Sequence, residues 1–214
     1  FTMLIPFLML VFLYSGAMAV ATESIAGEKE RGTIATLLVT PVKRSYIALG
    51  KVFALSLTAT VSAVVSFLGV ILSLPKLLSG AGDELVVTAV YGFKEYLGLF
   101  LVIILTVVLF TVMLSIISTV SKSVKEASSL AVPVMVLVMV VGISGFLMGT
   151  GNAKPSYLCL IPIYNAVQCM GEILSTGISP LSLVFTLVSN VSFIALGILL
   201  LTKLFSNEKV MFNK

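Results

Sequence analysis

Residues 96–121, YLGLFLVIILTVVLFTVMLSIISTVS, run for 26 residues without one Asp, Glu, Lys or Arg. About 20 apolar residues are enough for a helix to cross the hydrocarbon core of a bilayer, so this stretch reads as a spanning helix. Outward from it, the charges divide the chain into further uncharged stretches at 1–22, 52–75, 127–153, 155–171 and 173–202. All but 155–171 are long enough to span. The spans are placed at 2–22, 48–74, 96–119, 128–149 and 181–203, the last with Ser179 as N-cap and Pro180 at its first helical position. The expectation is an all-α, polytopic transmembrane protein forming a single domain over 1–214.

Composition agrees. The 214 residues are 59% hydrophobic and 10% charged, against about 25% charged in an ordinary soluble domain, and the mean hydropathy is +1.20. The net charge of +4 does not signal nucleic acid, because the cations are not gathered on one face with interleaved aromatics. Histidine is absent, which removes His-based acid–base catalysis and the usual zinc ligand sets. Cys159 and Cys169, ten residues apart, would lie about 15 Å apart along one continuous helix, too far for a disulfide; a break at Pro162 leaves a bridge open. Small apolar core positions are the plainer reading for both. The chain starts with Phe1, inside an apolar run with no basic segment before it, so a signal peptide is not indicated and the start reads as lying partway through a longer protein.

An odd number of spans puts the two ends on opposite sides. One side receives Lys29, Arg31, Lys43, Arg44, Lys51, Lys122, Lys125, Lys203, Lys209 and Lys214; the other receives Lys76, Lys94 and Lys154. The positive-inside rule then sets the N-terminal end outside, the C-terminus in the cytoplasm, and the protein in the cell membrane.

That orientation makes 23–45 the longest cytoplasmic connection. Residues 21–51 carry five of the 13 Lys and Arg together with Glu23, Glu28 and Glu30, more charge than topology alone requires. ESIAGEKER continues the first span as a polar helix up to a break at Gly32; Thr33 caps a short helix whose Ile34, Leu37 and Leu38 share one face; Thr40 and Pro41 repeat the cap-plus-proline signal ahead of the second span. So short a helix is not stable alone, and its apolar face needs a cover. One reading lays it on lipid headgroups. The other docks it into a groove on a cytoplasmic partner, with Glu28, Lys29, Glu30 and Arg31 as rim charges. Mixed signs favour the partner, since acids are repelled by anionic lipid.

GEKERGTIATLLVTPV, residues 27–42, resembles the coupling segment of permeases of the type-2 ATP-binding-cassette (ABC) exporter superfamily, close to G-E-[KR]-E-[RK]-G-T-x-x-x-L-L-x-T-P-[VL]. YLCLIPIYNAVQCMGEIL, residues 157–174, looks like the extracellular re-entrant element before the last span, in particular that of the sodium-extrusion permease branch. The resemblance covers the chain in span order and implies an earlier first span that this sequence lacks. It implies a cytoplasmic coupling helix within 23–45 and a re-entrant helical hairpin within 155–178. The ATPase-docking residues it implies are Glu28, Lys29, Glu30, Arg31, Gly32, Thr33, Ile34, Leu37, Leu38 and Pro41; those of the external lid are Pro162, Tyr164, Asn165 and Gln168. A helix lying flat on the outer surface is the alternative for that lid.

Thr58, Ser62, Ser66, Gly69 and Ser73 fall on one face of the second span, and Thr111, Ser115 and Ser118 on one face of the third. Small and hydroxylated residues let helices approach closely in lipid; lining a transport path through Thr58, Ser62, Ser66, Thr111 and Ser115 is the sharper alternative. Gly142, Gly145 and Gly149 read as packing, and Pro133 as a kink. Asn190-Val191-Ser192 matches a glycosylation signal but lies inside a span, and Asp83 and Glu84 read as a solvated outer loop. No charge sits mid-span, which argues against a proton or ion relay; the wall suits sodium, a drug or an amphipathic molecule. No G-x-x-x-x-G-K-[ST] occurs in the sequence. The implied protein is thus an exporter permease without metal or cofactor of its own, driven by a separate ABC ATPase that uses ATP and Mg²⁺, embedded in lipid and paired as a homodimer or with a related permease. A membrane scaffold or sensor recruiting a cytoplasmic partner through 23–45 is the rival; a secondary transporter is third, with no inverted repeat discernible.

Overall fold

The computed structural model describes residues 4–34, 36, 40–79, 93–148, 161–175 and 180–207. Six helices carry the described chain: α1 Leu4–Glu30, α2 Arg44–Ser79, α3 Phe93–Val120, α4 Val124–Met148, α5 Pro162–Ser175 and α6 Pro180–Ser206. Five of them, all but α5, are long and apolar enough to cross a membrane. Each extends past the span expected from the sequence at one end or both, because a hydrogen-bonded helix continues past the apolar stretch that defines a span.

The most apolar stretch becomes the centre of the bundle. α3 touches all five other helices, and Leu99, Val102, Ile103, Val107, Phe110 and Leu114 on it are essentially sealed. Its buried hydroxyls cost little, since Thr106, Thr111, Ser115 and Thr119 each donate to the carbonyl four residues back at 2.7–2.8 Å. Glycines set the closest approaches. A Cβ on Gly197 of α6 would come within 2.5 Å of Val112 of α3, and one on Gly142 of α4 within 2.8 Å of Phe7 of α1, as expected where dispersion between closely fitted backbones drives association. Tyr14 meets Phe110 edge-on at 5.2 Å between centroids, and its hydroxyl donates to the Ala131 carbonyl of α4 at 2.8 Å. Large apolar side chains such as Phe53, Leu72, Leu147, Leu181 and Leu199 point outward, the surface of a protein solvated by lipid.

α5, at the end of the bundle away from the 21–51 charges, is buried along nearly its whole length between α1, α3, α4 and α6. Pro162 opens it, where its missing N–H is not needed. The preceding limb of the expected hairpin falls mostly outside the described residues.

The connection between α1 and α2 corrects one expectation. Pro41 does not stand at the first position of α2. The chain turns tightly across Pro41, with the Val42 N–H bonded to the Thr40 carbonyl at 2.7 Å, and α2 begins three residues later at Arg44. Proline here serves a turn that its fixed φ favours, and the helix waits until the chain has been redirected.

Candidate functional site

The charged corner is built from the last turn of α1. Arg31 N–H bonds to the Gly27 carbonyl at 3.0 Å and Gly32 N–H to the Lys29 carbonyl at 3.1 Å. Gly32 takes φ +74°, the left-handed conformation that ends helices and that glycine adopts without penalty. The break therefore falls where the sequence placed it. Thr33 plays a different part from the N-cap expected of it: it is already helical, and its hydroxyl donates to the Glu28 carbonyl at 3.3 Å, satisfying the end of α1. Thr33, Ile34 and Thr36 are helical, but the full extent of the expected coupling helix, with Leu37 and Leu38, lies outside the described residues.

The structure divides the implied docking residues into two groups. Arg31, Gly32, Thr33 and Pro41 are exposed. Ile34 is 4% exposed and packs into a small core with Ile25, Ala48, Val52, Val112, Leu201 and Phe205, so its apolar face is covered by the chain itself. Glu28 and Lys29 are engaged internally as well, and the exposed Glu30 has a partner within the chain. Glu28 pairs with Lys51 of α2 at 2.5 Å, the two side chains being 36% and 14% exposed. The Lys29 ammonium donates to the carbonyls of Thr119 and, at 3.3 Å, Ser121 at the end of α3, where it also meets the negative end of that helix. The Glu30 carboxylate accepts the Val124 N–H at 3.0 Å, at the start of α4. Arg31 and Glu23 form a surface pair at 2.8 Å, with 70% and 59% of their side chains exposed.

Three features of this corner escaped the sequence reading. Lys51 stands 23 residues from Glu28, and no periodicity links them. The Ser118 hydroxyl, fully buried on α3, accepts the Ala26 N–H at 2.9 Å and donates to the Thr22 carbonyl at 2.8 Å on α1. The third was legible: Ser123-Val-Lys-Glu126 is an S-x-x-E capping pattern before an apolar run, and Ser123 Oγ accepts the Glu126 N–H at 3.2 Å while Glu126 accepts the Lys122 N–H at 2.7 Å.

The hydroxyl stripes separate. Thr111 and Ser115 are enclosed inside the bundle, whereas Thr58 and Ser62 are exposed on α2 and Ser66 is half-buried; within one chain the five do not share a surface. Pro162, Tyr164, Asn165 and Gln168, the residues expected of a lid, are brought together and buried on α5. Gln168 Nε2 donates to the Gly145 carbonyl of α4 at 3.0 Å, and a Cβ on Gly145 would approach Val167 to 3.3 Å, so the glycine serves α4–α5 contact. Gly149 and Cys159 lie outside the described residues; Cys169 is a buried core position. Asn190 is fully buried on α6, which excludes a glycan there. Among the described residues neither atom of its amide has a hydrogen-bond partner, and no group of three or more potential metal-ligating His, Cys, Asp or Glu side chains occurs.

Residues 1–210 match the family described as "ABC-2 family transporter protein". A segment of 70 residues, 33% of the chain, is 41% identical to the "ABC transporter permease protein NatB" of Bacillus subtilis (strain 168), and that segment covers 18% of the relative.

Proposed function

Since the chain belongs to the ABC-2 family of transporter proteins, we propose that it is the membrane-spanning permease subunit of an ABC exporter, driven through its charged corner by a separate ATPase. The observation that supports this reading most is the exposed turn Arg31–Gly32–Thr33, carried at the tip of a helix that runs unbroken from Leu4 to Glu30. A push on that turn reaches the bundle through a rigid rod, and the chain has no phosphate-binding motif of its own with which to generate the push.

Arg31, Gly32, Thr33, Leu37, Leu38 and Pro41 form the docking surface, while Glu28, Lys29, Glu30 and Ile34 hold that surface on the bundle. ATP and Mg²⁺ belong to the partner. Closure of two ATPase subunits shifts the corner, and α1 and α2 act as levers that switch access from the cytoplasm to the exterior. A second permease, identical or related, completes the path, onto which the exposed Thr58 and Ser62 and half-buried Ser66 face. α5 closes the outer end as the lid, and the C-terminus is cytoplasmic. With no charge mid-span, the path suits sodium held by hydroxyls and carbonyls, a drug, or an amphipathic molecule.

Leu37→Asp combined with Arg31→Glu tests the reading in the full-length protein purified with its ABC ATPase. The expected result is membrane insertion at the wild-type level with loss of the ATPase from the complex. A variant that keeps both the ATPase and transport removes the docking site from this corner. A wild-type protein that recruits a cytoplasmic partner without ATP turnover establishes the scaffold instead.

A further inference from the structure

We propose that the α3–α4 corner is part of the moving element: Ser118, Lys29 and Glu30 join the tail of α1 to residues 119–124, so that a displacement applied at the exposed turn is delivered to α3 and α4 as well as to α1 and α2. The inference rests on the reading of that turn as the ATPase contact. It makes Ser118 a positioning residue for transport, acting at a distance from any cargo.

Three contacts at successive levels carry it. Deepest is the Ser118 hydroxyl, which is 0% exposed and bonds to both Ala26 N–H and the Thr22 carbonyl, at 2.9 and 2.8 Å. Those two groups are four residues apart and pair with one another in an uninterrupted helix, so the serine is keyed into the backbone ladder of α1. Next, the Lys29 ammonium bridges the Thr119 and Ser121 carbonyls. Last, Glu30 holds the Val124 N–H at 3.0 Å. α1 and α4 are also in close contact at this level, since a Cβ on Gly27 would lie at ordinary van der Waals distance, 3.5 Å, from Val124 Cγ2.

Sliding the tail of α1 past α3 breaks all three contacts together, two of them with charged partners and one in a low-dielectric interior where lost hydrogen bonds are not replaced by water. Farther along α1, contacts with α3 and α4 are apolar apart from the Tyr14 hydroxyl on the Ala131 carbonyl. Thr22 also returns its hydroxyl to the Met18 carbonyl at 2.8 Å, a back-bond that favours bending. α1 is thus tied to α3 and α4 by polar contacts beyond residue 22, and Thr22 marks where it can bend. α4, started by Glu30, runs from this corner to the opposite end of the bundle and there contacts α5 through Gly145, which gives the corner a route to the lid.

The test compares wild type with Ser118→Ala/Lys29→Met in the full-length protein, reconstituted in nanodiscs with its ABC ATPase. The variant keeps a helical α1, because the Thr22 carbonyl and Ala26 N–H bond to each other once the hydroxyl is gone. Spin labels at Thr33→Cys and Lys125→Cys report on the joined block, and labels at Leu8→Cys and Leu147→Cys on the far end. Wild type is expected to keep the 33–125 distance on trapping with ATP and vanadate while the 8–147 distance shifts; in the variant the 33–125 distance changes and the 8–147 shift falls to less than half. A wild-type 33–125 distance that changes on trapping overturns the inference. So does a variant whose 8–147 shift is intact, which would make the contacts merely structural. If wild type retains no ATPase, the docking reading fails by itself; the block is then decided in ATPase-free nanodiscs, where the variant must broaden the 33–125 distribution and an unchanged width sinks it.

Discussion

The two ends of this bundle are held together by opposite means. At the charged corner, α1, α2, α3 and α4 are joined by an ion pair, an ammonium on two carbonyls and a carboxylate on an N–H. At the other end α5 is wedged between its neighbours by apolar burial, with Met170, Val167 and Ala166 fully enclosed and Gly145 permitting the approach of α4. The difference teaches where rearrangement is cheap. Polar contacts near water can be exchanged for water at a net cost of about 1 kcal/mol each, whereas withdrawing a packed apolar side chain leaves a cavity that nothing refills. The exposed Arg31–Glu23 pair can be remade in this way, whereas the buried Ser118 contacts cannot, so a displacement of the corner carries α3 with it.

Breaking the apolar end should have the largest effect on stability. Met170→Ala removes a fully buried side chain and should lower stability by about 2–5 kcal/mol, read as a drop in the unfolding temperature of the purified protein. The corner should respond less. Lys51→Met leaves the half-buried Glu28 unpaired, with one carboxylate oxygen that already has no partner among the described residues, and should cost about 1–3 kcal/mol; adding Glu28→Gln should recover part of the loss, and full additivity in the double-mutant cycle would show that the pair does not couple. Gly32→Ala isolates the backbone: no atom lies within 4 Å of its Cβ position, so only the positive φ opposes it, at about 1–2 kcal/mol. Arg31→Ala should be the smallest, under about 1 kcal/mol, because the pair with Glu23 is largely exposed. That variant sharpens the comparison, since a residue nearly silent in stability is expected to weaken ATPase association measurably.

Much of this was legible along the chain. Uncharged runs marked five helices because lipid tolerates few other structures, and Gly32 marked the end of α1 because few other residues accept its φ. The family motif at Gly27–Val42 pointed to the corner, where Arg31 and Thr33 are exposed. What the motif hid was the division of labour inside it. Ile34 was read with Leu37 and Leu38 as a face for a partner, yet it packs on Val52 and Phe205, residues that helical spacing around position 34 does not reveal. The two hydroxyl stripes looked alike, but α3 is central and buries Thr111 and Ser115, while α2 is peripheral and exposes Thr58 and Ser62.

The order of apolar and charged residues by itself determined the all-helical class, the number of membrane-spanning helices and the position of the corner, because each depends on a local free energy: transfer of a segment into lipid, or the φ of one residue. Only the tertiary structure decided which helix sits at the centre, that Ser118 is keyed into α1, and that Glu28 and Lys29 pair with Lys51 and Ser121 while the exposed Glu30 takes the Val124 N–H. Those pairings join residues 23 to 94 positions apart, and such separations are set by how whole helices pack, which no local pattern encodes.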